Sequence, residues 1–193
     1  MTTRERILAA ARNSFERRGL EGLSLREVAA KVGITPMAIY RHFDSKDALV
    51  DALVLDALDE WSARVAALPA ADGLAKIEQM SEAVLDFALH EPRRFEAAFL
   101  LPSRKARRYP DDFAARRSPA GNGALKALEE GIRQGKLAGA PPVEIMVINA
   151  ALSQGLVTLY RAGRIAGGEA AFRALYRRAM RRVLESFTVE KPR

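Results

Sequence analysis

The 193-residue sequence predicts an all-α protein. Apolar residues recur three or four positions apart along most of the chain, as they do on one face of a helix. No segment shows the alternation of apolar and polar residues that is typical of a half-buried strand. Proline and glycine fall mainly between the periodic segments, where they end one helix and precede the next. Together these patterns predict about nine helices.

The first predicted helix begins close to the N-terminus and ends at Gly19. Thr2 and Glu5 have the spacing of a capping box, in which each side chain bonds the backbone N–H of the other residue. An apolar stripe follows and is expected to face inward. It consists of Ile7, Leu8, Ala11 and Phe15.

The second and third helices are predicted to be short and joined by a tight turn. Ser24 and Glu27 have the spacing of another capping box, and Gly33 stands where a tight turn needs a positive φ. Thr35 can cap the next helix, and Pro36 suits its first position. This is the layout of a helix-turn-helix, which reads the DNA major groove, although a surface hairpin in a helical bundle is the alternative. The residues predicted to face inward are Val28, Ala29, Val32, Ile34, Ile39 and Phe43.

The outer side of this unit is expected to carry polar and exposed residues, with Lys46 at the start of the fourth helix. A cation is unfavourable at a helix N-terminus unless an anion such as a phosphate approaches there. A solvated surface lysine is the alternative interpretation of Lys46. The residues predicted to point outward from the third helix are Thr35, Met37, Ala38, Tyr40, Arg41 and His42.

Four stretches within residues 4–50 agree in order and spacing with a known family. They are RILAAA…F…RG in the first helix, SLREVAAKVG in the second, AIYRHF in the third, and SKDAL opening the fourth. In these features the sequence resembles the N-terminal domain of the TetR/AcrR family of transcriptional regulators. The resemblance implies that Tyr40, His42 and Lys46 hold DNA phosphates. It also implies that the last two helices pair two subunits in a four-helix bundle.

The predicted function is therefore a sequence-specific DNA-binding transcriptional regulator. We expect a cytoplasmic homodimeric repressor, released from a palindromic operator in double-stranded DNA by a small-molecule effector. Arg41 is a candidate for contact with guanine. Many members carry small polar or glycine residues where this chain has Met37 and Ala38. The identity of the bases that this chain reads is therefore left open. The residues expected at the DNA are Ser24, Arg26, Thr35, Pro36, Met37, Ala38, Tyr40, Arg41, His42 and Lys46.

The DNA-binding domain is predicted over residues 1–46, and a helical domain for effector binding and dimerisation over residues 47–193. Residues 102–123, which are rich in proline, glycine and charge, are expected to be partly irregular. The further helices are predicted at about 46–67, 74–89, 92–100, 124–135, 142–162 and 168–188.

The last two predicted helices have longer apolar faces than a single helical body needs, which suggests a dimer interface. The alternative is that these faces are internal core. One face consists of Val143, Ile145, Met146, Ile148, Ala151, Leu152, Leu156, Leu159 and Tyr160. The other consists of Phe172, Leu175, Tyr176, Met180, Val183, Leu184 and Phe187.

Large apolar side chains and a few polar ones in the body are candidates for an effector pocket, since small-molecule sites combine the two. Core packing is the alternative for each of them. Asn149 and Gln154 are the more informative, because an amide buried on an apolar helix needs a partner. The candidates are Trp61, Met80, Phe87, Phe95, Phe99, Met146, Asn149, Gln154 and Tyr160.

The net charge of +7 and the pI of about 10.0 suit a polyanionic partner. Residues 1–50 contribute +3, whereas residues 93–117 and 173–193 contribute +5 each. Most of the excess therefore lies outside the predicted reading head. A solvated face is the first interpretation of the C-terminal cluster, and a basic helix on a membrane surface is a weaker one.

The composition also argues against a metalloprotein, an enzyme and a membrane-spanning protein. The absence of cysteine excludes thiolate metal sites, and two histidines leave little scope for a metal site or a catalytic triad. We therefore expect no enzyme activity, cofactor or metal. No apolar stretch is expected to cross a membrane. A non-specific architectural DNA binder and, less favoured, an all-α enzyme remain as alternatives.

Overall fold

The computed structural model describes residues 1–69 and 72–189, and within them it contains ten helices and no strand. The all-α fold class is confirmed. The only β pairing within these ranges is one isolated bridge between Leu137 and Thr188. The helices are α1 (Thr3–Arg18), α2 (Leu25–Val32), α3 (Pro36–Ile39), α4 (Lys46–Ala67), α5 (Gly73–His90), α6 (Pro92–Phe99), α7 (Asp111–Ala114), α8 (Pro119–Arg133), α9 (Pro142–Arg161) and α10 (Gly168–Glu185).

The chain divides into two compact units, and the first unit is discontinuous in sequence. It comprises Met1–Leu58 and Glu91–Ala106, and the second unit comprises Asp59–His90 and the chain from Arg107 onward. The domain boundary predicted after residue 46 falls inside the first unit, at the start of α4. As a boundary between functions it stays a prediction.

The core of the first unit is formed by α1, α2, α3 and the beginning of α4. The guanidinium of Arg6 donates to the carbonyl of Val32 at 2.6 Å, which satisfies an end group of α2. Arg4 lies over the ring of Phe43, 4.7 Å from its centroid. The buried apolar residues include Ile7, Ala11, Phe15, Leu23, Val28, Ala29, Val32, Ile39, Phe43, Leu49 and Leu53.

The two predicted capping boxes had different outcomes. At α1 both reciprocal bonds between Thr2 and Glu5 are present, which confirms the prediction. At α2 the prediction is wrong, because the side chain of Ser24 makes no capping bond. Glu27 instead forms an ion pair with both terminal nitrogens of Arg18. A forked guanidinium–carboxylate pair is stronger than a bond to a neutral backbone N–H.

In the first unit, α6 packs against α1 and brings a buried arginine with it. Arg94 is only 6% exposed and donates to Asp56 at 2.9 Å. Asp56 also pairs with Arg12 of α1. A buried charge is tolerated when it is paired and hydrogen-bonded, so this triad joins the sequence-distant segment Glu91–Ala106 to the rest of the unit.

The second unit is a bundle in which α5, α8, α9 and α10 pack on one another. Residues 102–110 are irregular, as predicted, but the rest of the stretch 102–123 is more helical than predicted, since α7 forms at Asp111–Ala114 and α8 begins at Pro119 rather than 124. Ser118 caps α8 by accepting from the N–H of Gly121 at 3.2 Å. Gly123 lies within α8, and its missing side chain permits close packing: a Cβ there would lie 2.7 Å from Val65 Cγ1.

By length and composition alone, α9 is the one helix of the described residues that could cross a membrane, a criterion that a core helix of a globular protein meets as well. It does not overturn the expectation that no stretch crosses a membrane. It packs against α5, α8 and α10, yet only 22% of its most apolar window is buried. Much of its apolar surface is therefore left partly exposed within a single chain.

Candidate nucleic-acid interface

The turn between α2 and α3 has the geometry that the sequence predicts. Gly33 adopts the left-handed conformation, with φ 75° and ψ 35°, and its N–H bonds the carbonyls of Ala29 and Ala30. The N–H of Ile34 bonds Ala29 O at 3.0 Å. The chain thus turns tightly between α2 and α3, and the two helices pack on each other, with Ala29 fully buried.

The short helix α3 is held at both ends. The hydroxyl of Thr35 accepts from the N–H of Ala38 at 3.2 Å, and Pro36 occupies the first turn. At the other end Ile39 and Phe43 are buried, and the N–H of Phe43 bonds Ile39 O at 3.0 Å. A helix this short has little stability of its own, so these caps and anchors fix its direction.

The outward face of α3 is uncovered, as the spacing predicts. Met37 is 74% exposed and Tyr40 is 44% exposed, although most large apolar side chains of this unit are buried. Among the other residues predicted to face outward, Ala38 is half-buried. The remaining exposed residues are Thr35, Pro36, Arg41 and His42.

The flanking predicted contacts lie on α2 and α4. Arg26 and Lys46 are exposed, whereas Ser24 is half-buried. Ser45 caps α4 by accepting from the N–H of Ala48 at 3.1 Å. The first unit therefore carries all ten predicted DNA residues, and they offer guanidinium, ammonium, imidazole and hydroxyl groups to a polyanion.

The predicted effector residues are not brought together as one set. Phe95 and Phe99, whose rings are 5.2 Å apart, belong to the first unit, whereas the other seven belong to the second. In the second unit Trp61 stacks on Phe87 with 6.0 Å between ring centroids. Four of those seven are buried, namely Trp61, Met80, Phe87 and Met146, and three are half-buried, namely Asn149, Gln154 and Tyr160.

The amide of Asn149 is satisfied on one side only. Its nitrogen donates to Ile145 O at 2.9 Å, while its buried oxygen Oδ1 has no hydrogen-bond partner. Buried polar atoms without partners are rare, so this acceptor is available to a donor that the isolated chain does not supply. Tyr160, one turn beyond Leu156 on α9, stacks on Phe172 with 4.1 Å between centroids.

A cavity of about 580 Å³ lies between α5 and α10 and includes none of the nine predicted effector residues. Its buried wall contains Tyr176, whose hydroxyl lies 2.7 Å from that of Ser153. Burial raises the pKa of Tyr176 to about 12, and the Ser153 hydrogen bond opposes this rise in part. Across the cavity mouth Arg177 binds Glu82 at 2.7 Å. The feature of the sequence that points to this site is Ser153, the partner of Tyr176, which interrupts the apolar run of α9.

Comparison with known proteins identifies the family. The family model for bacterial regulatory proteins of the tetR family matches residues 7–53, and the model for the tetracyclin repressor-like C-terminal domain matches residues 77–183. The HTH-type transcriptional regulator UidR of Escherichia coli K12 is 33% identical over 89 residues, which are 46% of this chain and 44% of UidR. The HTH-type transcriptional repressor DrrR1 of Streptomyces coeruleorubidus is 36% identical over 90 residues, 47% of this chain and 33% of DrrR1. The chain thus spans less than half the length of these curated relatives.

Solved structures share the whole fold. A protein of unknown function from Rhodococcus sp. RHA1 has a TM-score of 0.78 at 20% identity, covering 98% of this chain and 97% of its own. A TetR-family regulator from Pectobacterium atrosepticum has a TM-score of 0.69 at 24% identity, covering 99% and 96%. A TetR variant from Acinetobacter baumannii in complex with minocycline has a TM-score of 0.66 at 18% identity, covering 93% of each chain. With one family model spanning more than half of it, this chain belongs to the TetR family of DNA-binding transcriptional regulators, which are not enzymes.

Proposed function

We propose that this regulator is a cytoplasmic homodimeric repressor that binds a palindromic operator and is released from it by a small-molecule effector. The observation that carries the proposal is the uncovered face of α3, where Met37 and Tyr40 are exposed on a helix anchored by Ile39 and Phe43. An apolar side chain left in water at such a position suits a partner surface that covers it.

The exposed residues divide into two roles. We assign Thr35, Met37, Ala38 and Arg41 to base edges, with Pro36 in the first turn of the helix. Arginine pairs with guanine, and the thioether of methionine suits apolar contact with a thymine methyl. The residues assigned to phosphates, which set register and not sequence preference, are Ser24, Arg26, Tyr40, His42 and Lys46.

Two copies are needed because one short helix reads only a few base pairs. The support for a dimer is the side of α9 that the bundle leaves uncovered. Leu159 is 41% exposed, Ala151 and Gly155 are exposed, and Ile148 is half-buried. By contrast, Ile145 and Met146 of α9, and Phe172, Tyr176, Met180 and Leu184 of α10, are buried within their own chain. These inward-facing residues are core rather than interface.

The effector is assigned to the second unit. Its support is the partnerless oxygen of Asn149, together with the cavity lined by Tyr176, Glu82 and Arg177. A structurally similar TetR variant holds minocycline, which makes a small-molecule site in this fold a reasonable expectation. An effector acts as a releasing signal only if it prefers the conformation that does not bind DNA.

Selection from a pool of random-sequence duplexes tests the proposal. The full chain is expected to enrich a palindrome and to protect both halves of it in a footprint. Tyr40→Ala and Lys46→Ala are each expected to weaken binding across sequences, and Lys46→Ala, which removes a positive charge, is also expected to lower its salt dependence. Tyr109→Ala and Lys126→Ala are matched controls, since both residues are exposed in the second unit. Enrichment of no discrete sequence would instead indicate an architectural DNA binder.

A further inference from the structure

We propose that Arg104 and Lys105, in the segment after α6, bind DNA phosphates beside Lys46 and thereby extend the DNA-contacting surface of the first unit. This inference rests on the DNA binding described under Proposed function. The two residues are about 60 positions from Lys46 in sequence, outside the helix-turn-helix. They nevertheless belong to the same compact unit.

The segment Ser103–Lys105 is anchored to α4. The hydroxyl of Ser103 donates to Asp51 Oδ1 at 2.7 Å, and the backbone N–H of Arg104 donates to the same oxygen at 3.2 Å. The N–H of Lys105 donates to Ser103 Oγ at 3.1 Å. Asp51 is 6% exposed, so its carboxylate is a fixed buried acceptor. The segment is therefore held in a defined place on α4.

The side chain of Arg104 extends along α4 toward the helix-turn-helix. Its Nη2 lies 3.4 Å from Ser45 Oγ, and its Nε lies 3.9 Å from Asp51 Oδ2. The side chain remains 67% exposed, so the guanidinium keeps donors free for a partner outside the chain. Ser45 immediately precedes Lys46, which places Arg104 beside the lysine assigned to a phosphate.

The negative charge around the start of α4 is a physical reason for Arg104 and Lys105 to lie there. Asp44 and Asp47 are exposed there and carry two negative charges against the single positive charge of Lys46, and the buried carboxylate of Asp51 adds a third. This local net charge of −2 would repel a phosphate backbone. Arg104 and Lys105 bring the local charge to zero.

The partner that fits is the phosphate backbone of the operator duplex next to the half-site. Arginine binds phosphate through two parallel N–H groups, and lysine adds a point charge. Since the segment lies beside a phosphate-contacting residue and not beside the base-reading face of α3, its contribution is to affinity and register. The DNA bases are read by α3 and not by this segment.

The test compares the full chain with the double variant R104A/K105A on the duplex selected as described above. Affinity is measured over a range of salt concentrations. The slope of log K against log salt is expected to become shallower by about 1 to 2 for each bound protomer, with a loss of ~10-fold in affinity per lost contact near 0.1 M salt. Ethylation of the flanking phosphates is expected to weaken the wild-type chain but not the variant.

The control variant K126A/R164A removes the same charge from exposed positions of the second unit and is expected to keep the wild-type slope. Ser103→Ala retains every charge but loses the anchor to Asp51, so a smaller loss of affinity is expected. Arg104→Lys is expected to keep the slope. Circular dichroism and thermal unfolding establish that each variant is folded.

Equal slopes for the wild-type chain and R104A/K105A would overturn this inference while leaving the proposed repressor intact. The same holds if the control K126A/R164A lowers the slope as much as the test variant, because the effect would then follow net charge alone. If the wild-type chain selects no discrete duplex, the proposed function fails first, and this inference fails with it.

Discussion

Replacing Gly33 by alanine isolates the backbone strain of the turn between α2 and α3. Gly33 has φ 75°, and a Cβ built there meets nothing within 4 Å, so the substitution adds strain without a steric clash. The left-handed conformation costs a residue with a side chain about 1–2 kcal/mol. Reduced freedom of the unfolded chain offsets about 0.4–1 kcal/mol of this cost. The expected net loss in the free energy of unfolding is therefore about 0–1.6 kcal/mol, with a midpoint of ~0.8 kcal/mol.

Urea unfolding measures this loss, and Gly135→Ala is the matched control. Gly135 has φ 68° and also has nothing within 4 Å of its built Cβ, but it lies in the second unit. Both variants are expected to lose similar stability, whereas only Gly33→Ala is expected to weaken DNA binding, because it alone re-aims α3. Gly33→Asn is expected to recover part of the loss, since asparagine tolerates this conformation. A fully stable Gly33→Ala chain with unchanged DNA affinity would refute the reasoning.

Three further predictions concern the rest of the fold. The stability of the chain is expected to fall as pH rises from about 10 toward 12, because the raised pKa of Tyr176 favours its neutral form in the folded state; Tyr176→Phe should abolish that part of the pH dependence in thermal unfolding. Arg94→Met is expected to cost about 2–4 kcal/mol in urea unfolding, since it leaves the carboxylate of Asp56 without one of its two guanidinium partners; a loss below about 0.5 kcal/mol would contradict the role of this pair. Gly155→Leu is expected to convert the proposed dimer to monomers in sedimentation at micromolar concentration, and an unchanged dimer would place the interface elsewhere, since nothing within the chain lies within 4 Å of a built Cβ there.

The helix-turn-helix could be predicted from the sequence because the residues that form it interact with near neighbours in the chain. A glycine with positive φ, a threonine cap and apolar residues four positions apart each act over a few residues, and the structure has all three at Gly33, Thr35 and Ile39. The failure at Ser24 has the opposite cause. Glu27 had the right spacing to cap α2, but Arg18 from the preceding helix competes for the same carboxylate.

Features that depend on distant parts of the chain could not be predicted in the same way. The glycines of α8 indicated irregular structure, yet Gly123 lies within the helix, and Val65, which is far away in sequence, packs against it. Phe95 and Phe99 are large apolar residues of the kind that line pockets, which is why they were predicted to bind the effector. They lie on α6, however, and α6 joins the first unit through the buried Arg94. The proximity of Arg104 to Ser45 likewise follows from tertiary packing and has no local signature.

The discontinuity of the first unit limits how this protein can be recombined. Because Met1–Leu58 and Glu91–Ala106 form one unit, a single crossover within the gene either divides this unit or carries Asp59–His90 of the second unit along with it. A chimera that takes the N-terminal segment alone would inherit Arg12 and Asp56 without Arg94, and Asp51 without Ser103. Exchanging the DNA-binding head of this regulator with that of a relative therefore calls for a two-segment transplant.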